Sequence, residues 1–296
     1  MRAAVVKAFG GPEAVEITEV AVPEPGARQV RIKVAAGAVN PVDLAVRAGV
    51  FGGAGKTIGL GWDVAGTVDA VGVAAAWQVG DEVVALVPGV ADPLAAHAEY
   101  VVVAADAVAK APATVDAVHA GTLPLNGLTA VQALDLLALE PGTSLLVTGA
   151  AGAVGGFAVQ LAARRGIEVT GHARPGDEEL VRSLGATRFV TEGVEPGSVD
   201  AVLDAAVLGA PALEWVRDGG AYVGVHPGAQ PGSVRGVRTD AVEVAADGVR
   251  LAELARLVDE GVLTLRVAGT YALDKAAEAH ARLAGGGLRG RLVLVP

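Results

Sequence analysis

An apolar run, Ser144-Leu145-Leu146-Val147-Thr148, leads directly into Gly149-Ala150-Ala151-Gly152-Ala153-Val154-Gly155-Gly156 and then into an alanine-rich stretch of helical character. Buried strand, glycine loop and helix, in that order, are what a dinucleotide phosphate site requires. Gly152 would let backbone approach a pyrophosphate, and Gly155 would let the helix pack close against the sheet. The helix start would offer unbonded N–H groups and the positive end of its dipole to the phosphates. The spacing is Ala-x-Gly-x-x-Gly, with Ala150 where the commonest form has its first glycine. In a chain with 41 glycines such spacings also arise as plain turns. The strand before, the helix after and a second strand on schedule set this one apart.

The second strand ends in Gly171-His172-Ala173-Arg174, roughly twenty residues beyond the loop, where an NAD enzyme places an acid on the ribose 2′-hydroxyl. No acid stands there. His172 and Arg174 would instead accept a 2′-phosphate, which favours NADPH. Arg174 also reads as a solvated loop residue, with Asp177 capping the helix that follows. Asp204-Ala205-Ala206 and Gly224-Val225-His226 close two further apolar strands, and ligands collect outside the carboxyl ends of parallel strands. His226 could act as an acid, although Pro227 behind it suits an ordinary loop. His97, His119, His172 and His280 show no paired spacing of the kind a metal needs.

These groups need a scaffold, and the chain supplies two kinds. Up to about residue 110 it reads as short Val-rich strands punctuated by Gly and Pro: AAVVKA, VEITEV, QVRIKVAAGAV, GTVDAVG, DEVVALV and AEYVVVA. Val30, Ile32 and Val34 alternate on one face, as in a half-buried antiparallel strand, and many such strands indicate a small β-barrel or sandwich. Beyond Pro112 helical periodicity alternates with apolar strands: HAGTLPLNGLTAVQALDLLAL as a helix, SLLVTG as a strand, VGGFAVQLAARRG as a helix, IEVTG as a strand, DEELVRSLGA as a helix, then VDAVLDAA and AYVGV as strands. That alternation implies βαβ crossovers and a parallel sheet. The last stretch holds one helix and a terminal strand, Leu292-Val293-Leu294-Val295, which could close either domain. The fold class expected is α/β, a β-barrel domain plus a doubly wound parallel sheet.

Composition narrows the chemistry. The chain has 296 residues, 52% hydrophobic and only 3% aromatic, so a large core must be built from Val, Ala and Leu. It has no cysteine, which removes disulfides, thiolate zinc sites, iron–sulfur clusters and a Cys nucleophile together. The net charge of -10, with Lys and Arg scattered, argues against nucleic acid. The start, MRAAVVKAFG, lacks the pattern of a signal peptide, and charges interrupt every apolar run before it could span a membrane, so a cytoplasmic protein is expected.

Taken in order, GAVNPVDLAVRAG (37–49), GWDVAGTVDAVG (61–72), VGDEV (79–83), AEYVVV (98–103), LNGLTAVQAL (125–134), VTGAAGAVG (147–155), LGATRFV (184–190), VDAVLDAA (199–206) and RGRLVLV (289–295) resemble the medium-chain dehydrogenase/reductases, within them the zinc-free quinone oxidoreductase branch that includes zeta-crystallin. The resemblance implies a GroES-like domain over 1–115 rejoined by 265–296, a Rossmann domain over 116–264, a cofactor in the cleft and a homodimer. It places Asn40 and Asp43 near nicotinamide and substrate and Thr129 beside the nicotinamide. Each has a plainer reading: Asn40-Pro41 is a turn signal, and Asp43 and Thr129 could cap helices. Zinc-dependent relatives hold their metal with a Cys near Asn40 and a His where this chain has Trp62, so no metal site is expected. Trp62 could wall a substrate pocket or lie in the core, and the loop 50–60 would border that pocket. Phe51 stands where enoyl-thioester reductases carry a Tyr, and a phenyl ring cannot donate a proton. The implied activity is NADPH-dependent reduction of a small quinone or α,β-unsaturated carbonyl. The alternatives are an enoyl-thioester reductase of lipid or polyketide assembly and a non-catalytic NADPH-binding protein.

Overall fold

A computed structural model describes residues 1–90 and 92–296. Contacts divide the chain into two units, Met1–Leu125 with Ala245–Glu260 and Leu265–Pro296, and Asn126–Val244 with Gly261–Thr264.

The first unit is mainly antiparallel. Its long strand Gln29–Val39 pairs with Asp63–Val71 and with Tyr100–Ala104. The alternation read from the sequence holds: Val30, Ile32 and Val34 are buried with Val64, Val68, Val83 and Val101, while Lys33 is exposed. Each such side chain contributes about 1.5–3 kcal/mol on full burial, so a core without rings still stabilises the unit. The terminal strand Arg291–Val295 pairs antiparallel with the end of Gln29–Val39, Leu292 opposite Val39, and parallel with Val267–Ala272. The C-terminal segment therefore completes a seven-stranded sheet in the first unit. A three-stranded sheet joins Val15–Glu19, Arg2–Val6 and Ile58–Gly59.

Two features differ from the sequence expectation. The helix Gly248–Asp259 belongs with the first unit, although 116–264 had been read as one domain. Its start lies so close to the chain at Asp106 and Val108 that a Cβ on Gly248 would sit 2.4 and 2.6 Å from their carbonyl oxygens. At its end, Asp259 accepts hydrogen bonds from the Thr114 N–H and hydroxyl at 2.9 and 2.8 Å. The single helix read from residue 119 onward is two, Ala117–Ala120 and Pro124–Leu137. Pro124 explains the break, because proline disfavours helix in the residue before it and is well placed in a new first turn.

The second unit holds six strands, all parallel: Ser144–Thr148, Glu168–His172, Arg188–Val190, Val199–Asp204, Val216–Gly224 and Arg238–Ala241. Counted along the chain, their order across the sheet is 3-2-1-4-5-6. This is a doubly wound α/β sheet, and its order reverses between Ser144–Thr148 and Val199–Asp204, the point where such sheets open a crevice for ligands. Arg238–Ala241 forms one edge.

Candidate functional site

The glycine loop lies at that reversal. Gly149 has φ 60°, and a Cβ there would meet Ala206 N at 3.3 Å and Ala205 C at 3.4 Å. Gly152 donates to the Gly149 carbonyl at 2.8 Å and begins the helix Ala153–Arg164. A Cβ on Gly155 would lie 2.2 Å from the Gly149 oxygen, so only glycine lets the first helical turn pack on the loop. Ala150 and Ala151 are buried beneath, while Gly152, Ala153 and Val154 reach the surface. An α-helix cannot satisfy the N–H groups of its first turn internally, so this start can receive an anion. Ala150, in the place of the usual first glycine, is accommodated by a residue on the next strand. A Cβ on Gly171 would sit 3.2 Å from the Ala150 methyl and 2.3 Å from Val181, so Gly171 clears the space that Ala150 takes.

The second strand brings His172 and Arg174 to the same end of the sheet. The His172 ring is tilted on Trp215 at 5.5 Å between centroids. Burial pushes its pKa down, opposed by a hydrogen bond to the Thr191 backbone, and its Nδ1 is buried without a partner. His172 is therefore a neutral, packed imidazole near pH 7. Arg174 is exposed, and among the described residues no hydrogen bond or ion pair holds its guanidinium. The sequence offered both as cations; of the two, Arg174 is the exposed one.

The Asp204 carboxylate, at the end of the fourth strand, is fully buried. Oδ1 accepts from the Thr148 hydroxyl at 2.5 Å, and Oδ2 accepts from the Tyr222 hydroxyl at 2.6 Å and from Gly209 N–H at 2.8 Å. The Thr148 hydroxyl in turn accepts from Ala206 N–H at 2.9 Å. Burial and the neighbouring carboxylate hold the Tyr222 phenol far above its usual range, so it remains a donor. Ala205 is half-buried at the end of the same strand. Gly224 is buried with its carbonyl bonded to Val242 N–H, Val225 is half-buried, and His226 is exposed in a turn closed by its own carbonyl and Ala229 N–H. Thr129 lies buried in the helix Pro124–Leu137, one of the residues of the second unit.

In the first unit Asn40 and Asp43 are both fully buried. Asp43 accepts from Asn40 N–H at 2.7 Å and from Gly61 N–H at 2.9 Å. Asn40 donates from Nδ2 to Asp63 at 2.6 Å and to the Ala38 carbonyl at 3.3 Å. Both residues thus hold the chain around them. The sequence reading missed Asp63, whose other oxygen accepts from Leu125 N–H at 2.7 Å. Burial pushes its carboxyl up to about 7 against those two hydrogen bonds, with Asp43 adding to the rise. The half-buried Arg291 guanidinium is brought down to about 10 by desolvation, opposed by Asp63 and Asp43. The signal was a carboxylate at the head of an apolar run, Asp63-Val64-Ala65. Trp62 is buried and Phe51 exposed.

The chain matches two family models, "Alcohol dehydrogenase GroES-like domain" over residues 26–113 and "Zinc-binding dehydrogenase" over 176–294. It is 31% identical to a quinone oxidoreductase of Pseudomonas aeruginosa, over 98% of each chain. It belongs to the medium-chain dehydrogenase/reductase family. An NADPH-dependent alkenal/one oxidoreductase of Arabidopsis thaliana is 32% identical over 100% of this chain and 80% of the relative. A mycobacterial protein solved in complex with NADPH superposes with a TM-score of 0.84 at 26% identity, covering 100% of both chains. Membership in the quinone oxidoreductase-like branch makes the chain an oxidoreductase that works with a nicotinamide dinucleotide.

One matched description names zinc, and the residues of this medium-chain reductase do not fit that metal. Asn40 turns its amide nitrogen, a donor without a usable lone pair, to Asp63 and Ala38. Trp62 offers no ligand, and Asp63 spends its oxygens on Asn40 and Leu125. A nicotinamide dinucleotide fits better, since a Cβ at Gly155 would fill the close approach that such a site requires. No helix among the described residues is long and apolar enough to cross a membrane.

Proposed function

We propose that this chain is a zinc-independent reductase that uses NADPH to transfer a hydride to a quinone or an α,β-unsaturated carbonyl. The observation that carries the cofactor choice is Arg174: an exposed guanidinium with no partner among the described residues, at the end of the strand where an NAD enzyme would present a carboxylate. A 2′-phosphate supplies the missing counter-charge, and the fork of Arg suits it. Relatives named for quinone and for alkenal/one reduction support the acceptor class.

When bound, the reduced nicotinamide supplies the hydride. The chain's own part is to bind and orient. Gly149, Gly152 and Gly155 let backbone come close to the pyrophosphate, and the first turn of Ala153–Arg164 directs its N–H groups and dipole there. Asp43 fixes the backbone at Gly61 and Asn40 the side chain of Asp63, the residues on either side of Trp62. We assign Phe51, which is exposed, and Trp62 in the first unit to a flat acceptor, and Thr129 in the second unit to the nicotinamide. Phe51 cannot give a proton, which suits a product that solvent can protonate, such as a hydroquinone anion. We place a second copy of the chain against the edge strand Arg238–Ala241, giving a homodimer.

Initial rates with NADPH and NADH against an ortho-quinone, a para-quinone and an enone test the proposal. Turnover with NADPH and at least one acceptor is expected. NADPH binding with no oxidation by any of them would overturn it in favour of a thioester reductase or a non-catalytic binder.

A further inference from the structure

The loop 205–209 carries a feature that nucleotide contact alone does not explain. Val207 has φ 57°, a left-handed conformation that a β-branched side chain rarely adopts. Such strain persists only where the surroundings enforce it. Here they do: Gly209 N–H is bonded directly to Asp204, and Ala206 N–H is bonded to the Thr148 hydroxyl, which itself bonds Asp204. One buried carboxylate thus grips the loop on both sides of Val207. Between the grips Val207 and Leu208 are exposed, two apolar side chains held out at the carboxyl edge of the sheet. The backbone of Ala205 and Ala206 meanwhile lies against Gly149, the first residue of the glycine loop.

We infer that Asp204 is a positioning residue for dinucleotide binding: through Thr148 and Gly209 it holds the strained apolar loop 205–209 against the glycine loop, as a ready-made wall of the cofactor site. This rests on the NADPH reading of that site. Tyr222 completes the clamp by occupying the remaining reach of the carboxylate with a neutral donor. The gain is preorganisation, because a wall already ordered costs the ligand no ordering entropy. The effect belongs to affinity, and the chemical step is left as it was.

Thr148→Val removes the hydroxyl with little change of shape, and Thr148→Ser restores it. In the ligand-free protein, hydrogen exchange at the Ala206 and Gly209 amides should quicken by about tenfold in Thr148→Val and return close to the parent rate in Thr148→Ser. The dissociation constant for NADPH, read by fluorescence titration, should rise by about tenfold in Thr148→Val. The kcat at saturating NADPH should stay within about twofold. Unchanged amide exchange would overturn the clamp. Faster exchange with a lower melting temperature but an unchanged dissociation constant would make Asp204 merely structural and overturn the positioning role. If the parent protein binds neither NADPH nor NADH, the cofactor reading itself fails and takes this inference with it, whereas a failure confined to Thr148→Val touches the inference alone.

Discussion

Each unit buries a carboxylate completely, and the two do so in opposite ways. Asp204 is surrounded by neutral donors, a threonine, a tyrosine and a backbone amide. Asp63 has an asparagine and a backbone amide, with Asp43 and Arg291 close enough to act on its charge. Burying a charge costs several kcal/mol unless every lone pair is met. Around Asp204 the surroundings hold a loop in place. Around Asp63 the proton itself is in play near neutral pH, because burial has pushed that carboxyl up to about 7. The second arrangement should therefore be sensitive to pH.

The largest expected effect comes from breaking the first arrangement. Asp204→Ala would leave the buried Thr148 and Tyr222 hydroxyls and the half-buried Gly209 N–H with no acceptor, at a cost of about 3–5 kcal/mol by urea unfolding. Gly155→Ala should follow, at about 2 kcal/mol with loss of dinucleotide binding, because its Cβ would fall 2.2 Å from the Gly149 oxygen, a backbone atom that cannot swing aside.

A smaller, pH-dependent effect belongs to the first unit. Because folding raises the Asp63 pKa from 3.8 to about 7, the folded state holds that proton more tightly, and its contribution to stability falls as pH rises through that window. Asp63→Asn should therefore make stability at pH 8, relative to pH 5, more favourable than in the parent, by about 1–2 kcal/mol. His280 lies in the same unit, edge-on to His97 at 6.2 Å, with Nδ1 3.5 Å from the Arg47 guanidinium. Desolvation first, then His97 and Arg47, brings its pKa from 6.5 down to about 3, so its contribution is present above 6.5 and lost as pH falls toward 3. His280→Gln should remove that acid loss, shifting the pH 8 to pH 5 difference the other way. Urea midpoints at both pH values read the two opposite signs, and a common sign would sink this account of the first unit.

The second unit was the more legible in sequence. Its strands and helices follow the chain locally, and the glycine loop declares itself by spacing, as does the absence of an acid beyond Gly171. The first unit hid more. Val30, Ile32 and Val34 announced their face correctly, since alternation is a local property. Asp63, Arg291 and His280 are brought to one buried region by pairings far apart in sequence, and no local pattern marks a charge whose partner lies more than two hundred residues away. The helix Gly248–Asp259 was misassigned for a similar reason: its amphipathic pattern makes a helix but does not say which sheet it covers. Arg238–Ala241 escaped notice because a short, half-exposed edge strand has no apolar run. Asn40, Asp43 and Asp204 were found as residues, but their complete burial was not, because burial cannot be read from residue type.

The smallest effect on stability carries the largest functional weight. Arg174 is exposed and unbonded among the described residues, so Arg174→Ala should leave the urea midpoint unchanged within about 0.5 kcal/mol. The direct test is kcat/KM for NADPH and for NADH, with one quinone acceptor, in the parent and in Arg174→Ala. A preference for NADPH that collapses in the variant by about tenfold or more, with the NADH rate unchanged, is what the account predicts. Equal use of both cofactors by the parent, or a preference for NADPH that survives the loss of Arg174, would contradict it.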